Sequence, residues 1–194
     1  MVWHGWESCG VRGQHALPAL AGQMRGLPLL VCGGGRHLHE DAAKIPLEGW
    51  GHTLAVNYAS FCVRRPIHHL ASLHENLIPH YMGIIRHRSE AHIHTHSYKL
   101  APGVDFAWDL EGQPPCSGLF GAVIGLAMGY DRIVLAGVPE DNGGHFYDPP
   151  GERGDYGTDQ NYESWFWFRD HVFAGRVKSL SGRTRDWLGA PDGL

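Results

Sequence analysis

The chain has 194 residues, 43% of them hydrophobic and 19% charged, values that fit one globular domain large enough to bury a core. No stretch approaches the roughly 20 apolar residues of a membrane helix, so no membrane span is expected. A net charge of −4 supplies no general attraction for a phosphate backbone, so nucleic acid is unsupported as a partner, though not excluded.

Four cysteines, Cys9, Cys32, Cys62 and Cys116, form no CxxC pair, and the start MVWHGWESCG lacks the basic and apolar parts of a secretory signal. Reduced thiols and a cytoplasmic location are the expectation. Fifteen histidines are the compositional oddity, and protonating them in mild acid would reverse the sign of the net charge.

Residues 1–26 are rich in Gly, His and Trp without sustained periodicity and read as an extension or cap. LPLLVC, Leu27 to Cys32, predicts a central strand buried on both faces and closed by Gly33, Gly34 and Gly35. HLHEDAAKI carries helix signals up to Pro46, HTLAVNYASF a second strand with Asn57 at its far end, and IHHLASLH a third ending in His74. Residues 75–91 are ambiguous, AHIHTHSY alternates as a strand does, and the turn-rich 101–115 reads as a surface excursion. Gly118 to Met128 predicts a helix whose Gly121, Ala122, Gly125 and Ala127 permit close approach to a sheet, capped by Gly129. RIVLA is the next strand, 139–161 a lid or active-site loop, YESWFWFRDHVFA an aromatic helix, RVKSLS a last strand and 183–194 a polar tail. Strands alternating with helices predict an α/β fold, a single Rossmann-like domain over 27–182 with a mainly parallel sheet and helices on both faces.

In such sheets ligands sit beyond the carboxyl ends of the strands, which places Gly33 to Gly35, Asn57, His74 and the loop after Gly137 along one rim. Glycine amides after a buried strand can approach a phosphate, although a tight turn without a ligand explains the same residues and neither GxGxxG nor GK[ST] is present. Ser117 reads as an N-cap whose hydroxyl bonds helix N–H groups or a ligand. His92, His94 and His96 alternate, so on a strand they share a face and two could chelate zinc; a plain exposed histidine edge is the preferred reading, and no metal is assigned. His74 and the lid's Asp141, His145 and Tyr147 offer acids, bases and hydrogen-bond donors. The block Trp165 to Phe168 reads chiefly as core.

LLVCGGGRHL, LAVNYASF and SGLFGAVIGLAMGYDRIVLAG, in that order, resemble the bacterial sialyltransferases built on one small Rossmann-like domain, and the wider MptE-like and motility-accessory-factor-like set. The resemblance implies a transferase that binds a nucleotide-sugar donor, usually CMP-linked, with no divalent metal or other cofactor required. By position it implies Gly33, Gly34 and Gly35 near the donor phosphates, Asn57 at phosphate or ribose, Ser117 and Gly118 holding base or sugar, and Tyr147 donating to the leaving phosphate. Asp141 stands where the family has a lid tyrosine and His74 where it has an asparagine. Residues 154–160, GDYGTDQ, carry no counterpart of the family's catalytic histidine, so His74 and His145 are the candidate bases.

The expected function is therefore a glycosyltransferase-like enzyme moving a group from a nucleotide donor to an unidentified hydroxyl acceptor, with a homo-oligomer as a possible assembly. The alternatives are a pterin-type diphosphokinase, a non-catalytic nucleotide-binding module and a histidine-ligated metallohydrolase.

Overall fold

Seven short runs become strands of one parallel sheet in a computed structural model that describes residues 19–85, 92–110, 114–149 and 159–193. They are β1 (Pro28–Cys32), β2 (His52–Val56), β3 (His69–Ala71), β4 (His94–Ser97), β5 (Phe106–Ala107), β6 (Arg132–Ala136) and β7 (Val177–Ser179). The helices are α1 (Leu38–Ala43), α2 (Ala59–Cys62), α3 (Ile78–Ile85), α4 (Ser117–Met128), α5 (Asp159–Phe168) and α6 (Gly182–Leu188). The order across the sheet is β5-β4-β3-β2-β1-β6-β7, every neighbouring pair parallel. The chain winds outward from β1 to β5, then returns to add β6 and β7 on the other side, which makes the β1–β6 boundary a topological switch point. The expected single Rossmann-like α/β domain is what forms.

Both sheet faces are covered, which is why the central strands β1, β2 and β6 read as largely apolar runs. Alternate side chains sort cleanly between the faces: Leu29, Val31, Leu54, Val56, Ile133 and Leu135 join α4 and the aromatic Trp165, Phe168 and Phe173. Leu30, Cys32, Ala55, Leu70, Val134 and Ala136 meet Leu38 of α1, Ala59 of α2 and Ile78, Tyr81 and Ile85 of α3. On α4 the glycines set the distance to the sheet, because a Cβ at Gly125 would lie 2.7 Å from Leu29 Cδ2 and 2.8 Å from Ile133 Cδ1. Gly129 ends that helix at φ 99°, a left-handed cap.

Three segments differ from the sequence reading. The ambiguous 75–91 stretch holds a 3-10 turn, Glu75–Leu77, running into α3. The excursion at 101–115 contains β5 and the fully buried Trp108. Residues read as a polar tail carry α6, whose Thr184 and Leu188 are buried and whose Leu188 carbonyl accepts from Lys178 Nζ at 3.0 Å. Residues 20–24 lie against α4, with Gly22 N donating to the Ala127 carbonyl and Met24 N to Met128; residues 1–18 of the expected extension fall outside the described residues. No helix among the described residues is long and apolar enough to cross a membrane.

A polar chain runs through the core beside α4. Trp108 Nε1 donates to His96 Nδ1 (3.1 Å), His96 Nε2 lies 3.0 Å from His69 Nδ1, His69 Nε2 2.8 Å from Tyr130 Oη, and that hydroxyl 2.6 Å from His52 Nδ1. Indole only donates, so with neutral rings every proton in the chain points toward His52. Burial, reinforced by the neighbouring histidines, pushes His69 down to about 2 and His96 to about 3.

Two outcomes follow. Gly125→Leu should lower the unfolding free energy by about 1–3 kcal/mol through overpacking, whereas Gly83→Ala, at an exposed α3 position with open space around it, should raise it by about 0.5–1 kcal/mol; urea titration checks both. Unfolded imidazoles take up a proton near 6.5 and the buried ones refuse it. Their contribution to stability is therefore full above that pH and drains away as the pH falls below it. A melting temperature unchanged between about pH 7 and about pH 4.5 would contradict the neutral chain.

Candidate functional site

The strands of a doubly wound sheet splay at the switch point, and here they open a cavity of about 810 Å³. It lies beyond the carboxyl ends of β1, β2, β3 and β6, over the amino terminus of α4. All ten residues that the sequence reading assigned to donor binding or catalysis line it: Gly33, Gly34, Gly35, Asn57, His74, Ser117, Gly118, Asp141, His145 and Tyr147.

The glycines form a tight turn, one of the two readings the sequence allowed. Gly33 N donates to the Ala136 carbonyl and Gly35 N to Gly137, both at 2.8 Å, so two of the three amides are spent on the turn after β6. A Cβ at Gly33 would sit 2.6 Å from Gly137 O, and one at Gly35 2.4 Å from Pro139 Cδ. The absent side chains let two backbones touch, and phosphate approach narrows to Gly34. Above Gly34 the lid folds down: Phe146 N donates to the Gly34 carbonyl at 2.9 Å, His145 bridges Gly35 in antiparallel fashion, and Arg36 Nη2 reaches the Pro149 carbonyl at 2.8 Å. Residues 150–158 of the expected lid lie outside the described residues.

Ser117 is not the N-cap. Cys116 caps α4, its Sγ accepting from Leu119 N at 3.5 Å. Ser117 Oγ instead accepts from Leu73 N and from Asn57 Nδ2, each at 3.3 Å, tying the turns after β2 and β3 to the helix. Asn57 sits at φ 50°, in the left-handed region, and its Oδ1 is buried with no hydrogen-bond partner among the described residues. Gly118 presses on Val138, where a Cβ would meet Cγ1 at 2.7 Å.

On the lid, the His145 ring stacks on Tyr147 at 4.7 Å, and its Nδ1 lies 3.4 Å from Asp148 Oδ2. Burial holds His145 below the usual imidazole range, and Asp148 opposes this in part. Tyr147 remains 48% exposed. Asp141 accepts from Gly143 N at 2.9 Å and lies 3.7 Å from His37 Nε2. His74 is exposed, its backbone N–H bonded to Ser72 Oγ at 2.9 Å.

Glu140 is the residue that sequence reasoning missed. It lines the cavity at φ 47° and accepts from the Cys116 thiol at 3.1 Å. Burial raises its carboxyl above the ordinary glutamate range, with Asp141 adding to the shift and Cys116, Trp165 and Asn161 opposing it. The Cys116 thiol is likewise pushed well up, by burial first and then by Glu140. Only its place after the apolar RIVLAGVP run, at a strand's carboxyl end, could have marked Glu140 in the sequence.

The histidine run separates. His96 is fully buried with both ring nitrogens engaged in the core, whereas His92 is exposed and His94 half-buried beside Asp105. This group stands at the amino-terminal start of β4, away from the cavity.

No protein-family model matches the chain, and no curated protein matches it in sequence. Among solved structures it is similar to the sialyltransferase CstII from Campylobacter jejuni in complex with a substrate analogue, cytidine-5'-monophosphate. The TM-score is 0.59 at 12% identity, over 88% of this chain and 89% of that one. A second structure of the same enzyme, with CMP-3FNeuAc, gives 0.57 at 12% identity, over 84% and 86%. The likeness establishes a sialyltransferase-like α/β fold.

A carboxyl raised in the folded state penalises folding once pH exceeds the unfolded value, here 4.5. Glu140→Gln should therefore increase the melting temperature at neutral pH, and the gain should vanish below about pH 4, where the wild-type side chain is protonated in both states. Equal melting temperatures at neutral pH would contradict this.

Proposed function

We propose that the protein is a glycosyltransferase-like enzyme that holds a nucleotide-sugar donor in the crevice and passes its group to a hydroxyl acceptor, with no divalent metal in the transfer. The observation that carries this reading is the convergence of the glycine turn, Asn57, the α4 terminus and the lid on one cavity in a sialyltransferase-like fold. A CMP-linked donor comes first to test, because the similar structures hold CMP and a CMP-sugar analogue.

The charged lining is acidic, Glu140 and Asp141, so neutral donors must meet the donor's phosphate. The amides of Gly34 and of the first turn of α4 suit this, helped by the partial positive charge at the helix start. The orphaned Asn57 Oδ1 suits a ribose or sugar hydroxyl. In the transfer, the acceptor oxygen bonds to the anomeric carbon as the bond from that carbon to the phosphate oxygen breaks. The electron pair leaves on the phosphate.

His145 takes the acceptor's proton. Burial keeps it neutral, and Asp148 beside Nδ1 favours a proton there, leaving Nε2 as the basic nitrogen. Glu140, kept protonated to higher pH than an exposed glutamate, supplies a proton to the departing phosphate, and Tyr147 stabilises the same charge. His74 and Asp141, at the rim, orient the acceptor.

Calorimetric titration with CMP, CDP, UDP and GDP tests the reading. At least one should bind, and Asn57→Ala should weaken it about ten-fold, as expected for one lost hydrogen bond to a buried group. His145→Ala should lower turnover by about 10² to 10⁴ while leaving binding intact. Absence of binding by every nucleotide and nucleotide-sugar overturns the proposal, and binding with no turnover would reassign the chain as a binding module.

A further inference from the structure

At the end of the sheet opposite the cavity, His92, His94 and Asp105 each bring one ligand atom within 4.8 Å of the others. The local sequence explains the convergence. HIH leads into β4, and strand periodicity turns alternate side chains to one face. Asp105 immediately precedes β5, which pairs with β4 through His96↔Phe106, so the carboxylate arrives beside Thr95. It is fixed there: Thr95 N donates to Asp105 Oδ2 at 2.9 Å, Asp105 N donates to Thr95 Oγ1 at 2.8 Å, and that hydroxyl donates to the Gly103 carbonyl at 2.7 Å. Metal centres use the same device, an outer hydrogen bond that holds a ligating carboxylate in place.

Independently, His94 Nδ1 is buried with no hydrogen-bond partner among the described residues. A buried ring nitrogen without a partner is uncommon enough to require a reason. The other histidines nearby have theirs: His69 and His96 are engaged in the core chain, and His68 Nδ1 accepts from Thr53 N.

We propose that His92, His94 and Asp105 bind a divalent transition-metal ion, zinc by the chemistry of the donor set. Two imidazoles and a carboxylate with a fourth position for water match zinc's preference, and they discriminate against calcium and magnesium, which take oxygen ligands. Bonds of about 2 Å place tetrahedral ligands about 3.3 Å apart, so the exposed His92 closes in on the two better-held ligands. The ion clasps β5, the two-residue edge strand, to the start of β4. It is distinct from the donor cavity, so it stabilises the sheet edge and takes no part in the transfer; failure of this proposal leaves the transferase reading untouched.

The test uses the full chain stripped of metal with EDTA, titrated with Zn²⁺ by calorimetry and with Co²⁺ by visible absorption. The expected result is a one-to-one site giving the intense bands of four-coordinate cobalt, and a melting temperature raised by Zn²⁺. His92→Ala and Asp105→Asn should each weaken binding at least about ten-fold and abolish the thermal shift. His171→Ala, at an exposed histidine elsewhere, should retain both. No stoichiometric binding, a smaller loss in either ligand variant, or an equal loss in His171→Ala overturns the site. His92 is exposed, so its replacement does not threaten the fold and keeps the test decisive.

Discussion

Two backbone turns meet without side chains between them, and the crevice follows from that contact. Gly33 N donates to the Ala136 carbonyl and Gly35 N to that of Gly137, and the two turns lie so close that no Cβ fits at Gly33, Gly35 or Gly137. Gly137 is in addition at φ 62°, and its N–H is held by the buried Asp41 carboxylate at 3.0 Å, an acid that also accepts from Ser181 after β7. One buried side chain on α1 thereby fixes the exits of β6 and β7 relative to β1. With those exits pinned, Val138 and Pro139 direct the chain over the cavity, and the lid can return to bridge Gly35.

The charge arrangement inside the crevice runs against stability. Glu140 combines left-handed backbone, costing about 1–2 kcal/mol for a residue with a Cβ, with a carboxyl that burial makes harder to ionise. Strain and desolvation thus coincide at one cleft residue. Asn57 repeats the pattern on the opposite wall: left-handed backbone and a buried acceptor left unsatisfied. Ser117, which accepts from both the Asn57 amide and the Leu73 N–H, ties the turns after β2 and β3 to α4.

What could be read in the sequence was whatever local pattern decides. The apolar run into Gly33, the small-residue helix capped by Gly129 and the RIVLA strand follow from burial and glycine chemistry over a few residues, and they placed the rim correctly. The use of each rim residue depended on partners far along the chain. Gly33 and Gly35 looked like phosphate ligands because the carbonyls that consume their amides lie about a hundred residues away. Ser117 looked like the cap because serine outranks cysteine in that role, yet the thiol is retained at Cys116 by Glu140. α6 looked like a tail because GRTRDWL is mostly polar; the buried Thr184, bonded to Ser179 and the Val138 carbonyl, and the buried Leu188 help hold it to the sheet.

The histidines show how far a parallel sheet separates its two ends. Register aligns Leu54 with His69 and His69 with His94, so the histidine-bearing positions of β3 and β4 come level at the starts of the strands. Gly33, Asn57, Ser72 and Gly137 follow the opposite ends of β1, β2, β3 and β6. An antiparallel sheet would interleave these sets, because every second strand would run the other way. Here the orientation common to all seven strands gathers small residues and strained turns at the crevice, and the imidazoles borne on β2, β3 and β4 at the far edge and in the core beneath it. The strained Asn57 and Glu140 thereby stand at the crevice, while the hydrogen-bonded histidine chain beside α4 holds β2 through β5 together from the other end.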